Sequence, residues 1–589
     1  MGPQELFFAA LSLIGGLCLF LFGMNIMGEG LERRAGNGLK ALLGKLTNSK
    51  VKGFLTGLGV TAVIQSSSAT TVMVVGFVNS KVMTLRQSIG VIMGANIGTT
   101  VTAWILSLGG ISSDNFIVQL FKPMSFTPLL ALIGIALTMF SKSSKKKDVG
   151  TILLGFATLM FGMDAMSTAV DGLAGEEWFT SLFTIFTNPI LGVLVGILVT
   201  AVIQSSSASV GILQALAMSS PITYAAAIPI IMGQNIGTCV TAMLSSFGTN
   251  KNAKRAAVIH LSFNVIGTLV WLTVFSLISW IFKPAIISQN ASPFGIAICH
   301  SIFNILCTIL LLPMSSLLEK LAYLLVPEGK KKTEEKTVEL DERLLATPAI
   351  ALDQCERLVK KMAGEASEGI RLSIQSINGY SDDIARRVRE IEDSTDRYED
   401  VIGTYLTKLS KSQISDEDSA NVSKLLKAIG DFERISDHSV NIIESVEELH
   451  EKKIEFSDSA KAELGVLCSA TEEILTLTET AFKNVDLSLA REVEPLEQVV
   501  DKLKSNLRDS HIVRLKGGEC TVEAGFIWAD LLTNFERVSD HCSNIAVGII
   551  DAHENNMDVH ASLRSFKLSD PSFEEKFQHY TEKYTISNK

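Results

Sequence analysis

The sequence predicts an all-α protein, a polytopic membrane part of two inverted repeats with re-entrant or broken helices, followed by a soluble pair of three-helix bundles. Three observations predict it. The charge is split: residues 1–326 carry 18 Lys and Arg against 10 Asp and Glu, whereas residues 327–589 carry 34 against 52. The stretch TAVIQSSSA stands at Thr61–Ala69 and again, unchanged, at Thr200–Ala208. Beyond the apolar part, hydrophobic residues recur at helical spacing between charged ones, with few prolines. The domain plan is therefore a membrane part over 1–326, a charged linker over 327–345, a helical domain over 346–555 and a tail over 556–589. Within the membrane part, repeat one covers about 6–140, repeat two about 150–248, and two further helices lie within 256–318. A chain of 589 residues exceeds what one soluble core supports.

Taken in order, Leu6–Met27 is an apolar run with no basic start and no cleavage site, so it reads as a retained membrane helix rather than a signal peptide. The eight cysteines stand singly and no C-x-x-C occurs, which argues against a disulfide framework or zinc ribbon. An offset of 139 carries Thr61–Ala69 onto Thr200–Ala208. The same offset carries Phe22-Gly23-Met24 onto Phe161-Gly162-Met163, and MGANIGTTVTA (Met93–Ala103) onto MGQNIGTCVTA (Met232–Ala242). The stretch Gly28–Lys52 is rich in Lys and Arg, while its equivalent, Ser167–Leu191, has none and holds Asp171, Glu176 and Glu177. Basic loops stay in the cytoplasm, so the two copies are expected to be inverted. Gly53–Asn79 is then a re-entrant pair of half-helices. Gln87–Gly109 and Thr127–Phe140 cross, copy two repeats the pattern from Thr151 to Phe247, and helices near Ala256–Phe282 and Gly295–Leu318 return the chain to a cytoplasmic Lys330–Lys332.

Matching breaks in inverted halves are the best pointer to a transport site, because unpaired backbone groups persist in hydrocarbon only where they line a cavity or meet a ligand. The candidate residues are Gln65, Ser66, Ser67 and Ser68 with Gln204, Ser205, Ser206 and Ser207. The Asn-Ile-Gly-Thr segments, read as turns, add Asn96, Thr99, Asn235 and Thr238. Hydroxyl and amide groups serve anions and cations alike, and half-helix N-termini seat anions. The competing reading is that Ser, Thr and Gly only let helices pack closely. Duplication of a Gln and three Ser with their flanks favours the site. His260/Asn264 and His300/Asn304 are better read as interhelical hydrogen-bond partners, and Asp164 is an acid inside an apolar run, opposite Asn25 in copy one. None of the four segments holds Lys or Arg. An anion there needs a co-bound cation, and oxygen donors suit sodium.

The paired QSSS motifs, the G-x-N-I-G-T segments and the two H-x-x-F-N helices resemble the type II sodium/phosphate cotransporter family over roughly residues 5–320. The resemblance implies sodium-coupled symport of inorganic phosphate, with the QSSS residues forming the phosphate and sodium site and Asn96, Thr99, Asn235 and Thr238 supporting it. The short basic Ser141–Asp148 between the halves looks bacterial.

The acidic part is duplicated too. Asp431–His438 matches Asn534–His541 at an offset of 103, and Ile391–Asp396 pairs with Leu496–Asp501 at an offset of 105. Each of the four segments sets a Glu four residues before an Asp: Glu392/Asp396, Glu433/Asp437, Glu497/Asp501 and Glu536/Asp540. On a helix both carboxylates of a pair share one face, where like charges call for a cation such as iron, manganese or magnesium. The alternative is a solvated acidic face partnered by Arg397, Arg434 and Arg537. The E-R-x-S-D-H repeats resemble the PhoU-like regulatory family over roughly 345–555, which implies paired three-helix bundles, multinuclear metal clusters on E-x-x-x-D motifs and phosphate-responsive control. Ser436 and Ser539 stand where that motif usually has Gly.

Together these readings predict a multi-pass inner-membrane symporter with a cytoplasmic acidic domain, and a homodimer is compatible with them. Its partners are phosphate, sodium and the bilayer; the acidic domain argues against nucleic acid. No P-loop or nucleophile constellation supports an enzyme. Another oxyanion, proton coupling, or a membrane-anchored metal-binding regulator are the alternatives.

Overall fold

The computed structural model describes residues 3–44, 49–80, 82–110, 122–171, 187–328, 340–412, 414, 416–554 and 573–586. Glu176, Glu177, Lys81, Lys330–Lys332 and most of the expected tail lie outside the described residues. The chain forms two compact units, one of residues 1–335 with 341–349 and one of 336–340 with 350–589.

Apolar runs become helices because only a helix satisfies its own backbone without water. Among the described residues seven helices are long and apolar enough to cross a membrane. Helix α1 (Pro3–Gly44) continues well past the apolar run, so part of the stretch expected to be a basic loop is helical. Copy one continues with α2 (Lys50–Ile64), α3 (Ser67–Asn79), α4 (Leu85–Ser107) and α5 (Pro123–Phe140). Copy two matches it with α6 (Ser144–Asp171), α7 (Pro189–Ile203), α8 (Ser206–Ser219), α9 (Tyr224–Gly237) and α10 (Cys239–Ser245); α11 (Lys251–Ile281), α12 (Pro293–Leu311) and α13 (Ser315–Leu325) follow.

Glycines decide which helices touch. Helices α1 and α6 cross where a Cβ at Gly16 would lie 2.8 Å from the Met166 amide nitrogen, and one at Gly155 2.5 Å from that of Met27. Arg33 closes the same pair on Asp148, at 3.0 Å. In copy one, Gly57 and Gly94 bring α2 and α4 into backbone contact. A Cβ on Gly57 would fall on the Val91 carbonyl, and one on Gly94 on the Phe54 carbonyl. Copy two does the same through Gly196 against Ile230 and Gly233 against Val193. The Asn-Ile-Gly-Thr segments are therefore not turns. Asn96–Thr99 lies inside α4, and Asn235–Thr238 meets only a one-residue interruption between α9 and α10. The glycine is there for close approach, not for chain reversal.

The acidic unit holds α14 (Pro348–Ile377, whose first two residues belong to the membrane unit), α15 (Asp382–Ser410), α16 (Asp416–Lys452), α17 (Asp458–Asn484), α18 (Leu487–Gly517), α19 (Val522–Glu554) and α20 (Phe573–Lys583). Helices α14–α16 and α17–α19 are the two expected three-helix sets, packed mainly through α16 against α19. The duplicated segments cross there reciprocally. His438 Nδ1 meets Asn534 Oδ1 at 2.8 Å, and His541 Nδ1 meets Asp431 Oδ1 at 2.9 Å. Part of the expected tail docks as α20, with Lys576 on Glu492 and Lys583 on Glu473.

Candidate functional site

Each QSSS motif is the elbow of a helical hairpin. Gln65 and Gln204 sit in the left-handed region, at φ 61° and 60°, a conformation uncommon for a side chain bearing a Cβ and typical of functional sites. Ser66 and Ser205 are extended and cap the returning helices, with Oγ accepting from the Ala69 amide at 3.1 Å and from the Ala208 amide at 3.2 Å. The reversal is sharp. Thr61 Oγ1 donates to Thr70 Oγ1 at 3.0 Å, whereas nine residues of straight helix would separate them by about 13 Å. Helices α2 and α3 have 15 and 13 residues, or about 22 and 20 Å, short of the roughly 30 Å of a hydrocarbon core. Neither is long enough by itself to cross.

The two elbows meet. Ser68 Oγ donates to the Gln204 carbonyl at 3.2 Å. This brings the N-termini of α3 and α8 together, and the first amides of each lack intrahelical partners by helix geometry. Ser67, Ser206 and Ser207 are buried around them. Neutral donors thus converge where two helix dipoles present their positive ends.

The copies differ. Gln65 is buried and accepts from Thr102 Oγ1 at 2.7 Å, but Gln204 is exposed, and Thr241, the equivalent of Thr102, donates instead to the Thr238 carbonyl at 2.8 Å. Thr200 and Ser209, equivalents of Thr61 and Thr70, are buried, and neither hydroxyl has a partner among the described residues. Hairpin one is tied at two points where hairpin two is not. Replacing Thr102 by Val strands the Gln65 amide oxygen, which costs about 1–3 kcal/mol. We expect a loss of transport of about tenfold or more, with Thr241→Val nearly silent; equal effects in a flux assay would contradict the asymmetry.

The supporting residues take other partners. Asn96 faces α11, with Nδ2 donating to Asn264 Oδ1 and Oδ1 meeting His260 Nε2, both at 3.4 Å. Asn96 is six residues from Thr102, which places it about a third of a turn round α4 and 9 Å along it from the residue that touches Gln65. His260 and Asn264 are thus interhelical partners. Asn235 donates to the Ile231 carbonyl, and Thr99 and Thr238 to the Ala95 and Gln234 carbonyls. Asp164 is exposed on α6. Thr61, Thr70 and Thr102 were not singled out from the sequence, although Thr61 and Thr102 stand inside the duplicated blocks.

In the acidic unit the expected carboxylate pairs face one another in two sets. Burial, with Asp437 and Glu399 alongside, raises Glu433 to about 7. Burial, with Glu494, Asp501 and Asp540, raises Glu497 to about 8, and burial with Asp393, Asp437 and Asp396 raises Glu392. Arg434 meets Asp437 at 3.6 Å, Arg537 meets Asp540 at 3.2 Å, and Lys504 meets Glu536 at 2.9 Å. Among the described residues no three His, Cys, Asp or Glu side chains are grouped so as to hold a metal ion. The pairs expected to be ligands are thus gathered but partly matched by cations of the protein. Glutamates with folded pKa above the unfolded value contribute stability below pH 4.5, and this is lost as pH rises through about 7 and 8. Calorimetry should find the acidic unit melting lower at pH 8 than at pH 5, and Glu497→Gln should flatten that slope.

Residues 19–168 and 158–287 each match the Na+/Pi-cotransporter family model, and residues 359–446 and 465–548 each match the PhoU domain. A relative from Salmonella typhimurium, "Putative inorganic phosphate export protein YjbB", is 24% identical over 549 residues, covering 92% of this chain and 97% of its own. "Sodium-dependent phosphate transport protein 2B" of Homo sapiens is 40% identical over 132 residues, 21% of this chain and 19% of the relative. Among solved structures, PhoU from Pseudomonas aeruginosa aligns with 35% of this chain and 98% of its own, at 21% identity and a TM-score of 0.33.

Proposed function

We propose, for a chain that belongs to the Na+/Pi-cotransporter family and carries PhoU domains behind its membrane part, that it is a sodium-coupled symporter of inorganic phosphate. The observation that carries this is the meeting of the two QSSS elbows through Ser68 and Gln204. Phosphate is held by serine hydroxyls and by the first amides of α3 and α8. Sodium takes the oxygens of the same elbows and supplies the positive charge that neutral donors lack. Gln65, Ser66, Ser67, Ser68, Gln204, Ser205, Ser206 and Ser207 form the site. Asn96, Thr99, Asn235 and Thr238 act behind it, through helix packing. The two copies are inverted, so that each hairpin dips from its own side of the membrane and the acidic unit is cytoplasmic. Metal binding by the acidic unit is part of the proposal only as ion capture by the carboxylate sets. Mn2+ or Mg2+ should raise its melting temperature at pH 8, and Glu433→Gln with Glu497→Gln should remove that response.

A second reading, outward phosphate movement, is favoured by the near full-length relative named for export. Both readings use the same site and differ in the working gradient. Purified protein in liposomes should move labelled phosphate down an imposed sodium gradient in whichever direction that gradient points. Flux indifferent to sodium, or equally inhibited by sulfate and phosphate, removes sodium coupling or phosphate selectivity respectively.

A further inference from the structure

The far end of hairpin one, at the C-terminus of α3, is covered by a piece of chain remote in sequence. Asn79 Nδ2 donates to Asp341 Oδ2 at 2.9 Å. The Asp341 carboxylate, 3% exposed in its side chain, also accepts from both the Arg343 amide and the Arg343 guanidinium at 3.0 Å. Arg343 Nη2 in turn donates to the Phe247 carbonyl at 2.9 Å, at the end of copy two. The same Asn79 is bound by Asn250, whose amide donates to its Oδ1 at 2.9 Å and whose Nδ2 donates to its carbonyl at 2.7 Å. Leu344, 1% exposed, packs over Gly76, where an added Cβ would stand 2.8 Å from Leu344 Cδ2. Residues 342–346 form a single 3₁₀ turn, and the chain enters α14, the first helix of the acidic domain, at Pro348.

These contacts are more than hairpin architecture requires. The equivalents of Gly76 and Asn79 in copy two are Ala215 and Met218, which offer neither the gap for a leucine nor the amide for a carboxylate. The docking surface exists on one hairpin only. A carboxylate withdrawn from water is costly unless it is hydrogen-bonded and paired, and Asn79 and Arg343 supply such partners to Asp341.

We propose that residues 341–346 are an inhibitory clip. Docked, they tie the far end of hairpin one to the α10–α11 junction and restrain the hairpin whose elbow carries Gln65–Ser68. Released, they free it. The chain passes directly from the clip into α14. The restraint on α3 stands on the contacts above; its effect on flux rests on the transport reading.

The test uses the full chain with Asp341→Ala and, separately, Arg343→Ala, each removing one arm of the clip without altering the elbows. Hydrogen exchange of the amides from Met73 to Asn79 should quicken about tenfold or more, as expected for loss of a buried charge-assisted hydrogen bond, and sodium-driven phosphate flux should rise. Unchanged exchange in both variants overturns the clip. Faster exchange with flux that falls or stays constant overturns its inhibitory role. A parent chain that moves no phosphate overturns the transport reading instead, and the exchange difference then still decides whether the clip restrains α3.

Discussion

Alanine at Ser66, Ser67 and Ser68 together should reduce phosphate flux about a hundredfold or more while leaving the chain folded. The magnitude follows from what is lost at the elbow. Ser66 caps α3 through the Ala69 amide, and a lost cap costs about 1 kcal/mol. Hydroxyls that donate to a bound anion contribute about 1.5–3 kcal/mol each, and every 1.4 kcal/mol is about tenfold in affinity. Ser68 also makes the bond to Gln204 that joins the elbows. Flux in liposomes and the melting of the membrane unit should be read on the same preparation. Lost flux with unchanged melting supports the site. Substantial residual flux in the triple variant removes the hydroxyls from the mechanism.

Leucine at Gly57 should prevent stable assembly of the membrane unit, whereas leucine at Gly59, two residues away on the same helix, should be tolerated. A side chain on Gly57 collides with the Val91 carbonyl, which is backbone and cannot rotate aside, while a Cβ on Gly59 meets nothing within 4 Å. Overpacking of this kind costs about 1–3 kcal/mol where side chains can give way, and more where only whole helices can move. The second copy states the same rule in its own residues: Gly57 is matched by Gly196, but Gly59 by Leu198, a largely exposed residue. Monodispersity on size exclusion after detergent extraction, with melting temperature, separates the two variants. Equal behaviour would refute the glycine contact as the determinant of α2–α4 packing.

Much of this was legible from the chain because repetition and hydropathy are properties of sequence. The broken helices were legible at Gln65 and Gln204, where a polar run interrupts apolar residues, and the two three-helix sets followed from duplicated E-R-x-S-D-H segments. The Asn-Ile-Gly-Thr segments misled. Glycine beside Asn and Thr looks like a turn, but glycine in a membrane helix serves equally to let another backbone approach, and local composition does not distinguish the two. The partners of Asn96, Asn264 and His260, were hidden for a related reason. The Asn96 side chain points to α11 because α4 turns it away from α2, a matter of helical phase once the contact face is known.

The sequence by itself determined the helical class, the duplicated membrane part, the location of the elbows and the acidic duplicated domain, since each rests on periodicity, charge and exact repeats. Only the tertiary structure decided that the elbows touch through Ser68 and Gln204, that hairpin one is tied by Thr102 and Thr70 while hairpin two is not, and that Asp341 and Leu344 return to cover α3. The first and last of these contacts join residues 136 and 262 positions apart. No local pattern encodes such a meeting, because it depends on which helix faces come together and how closely glycine lets them.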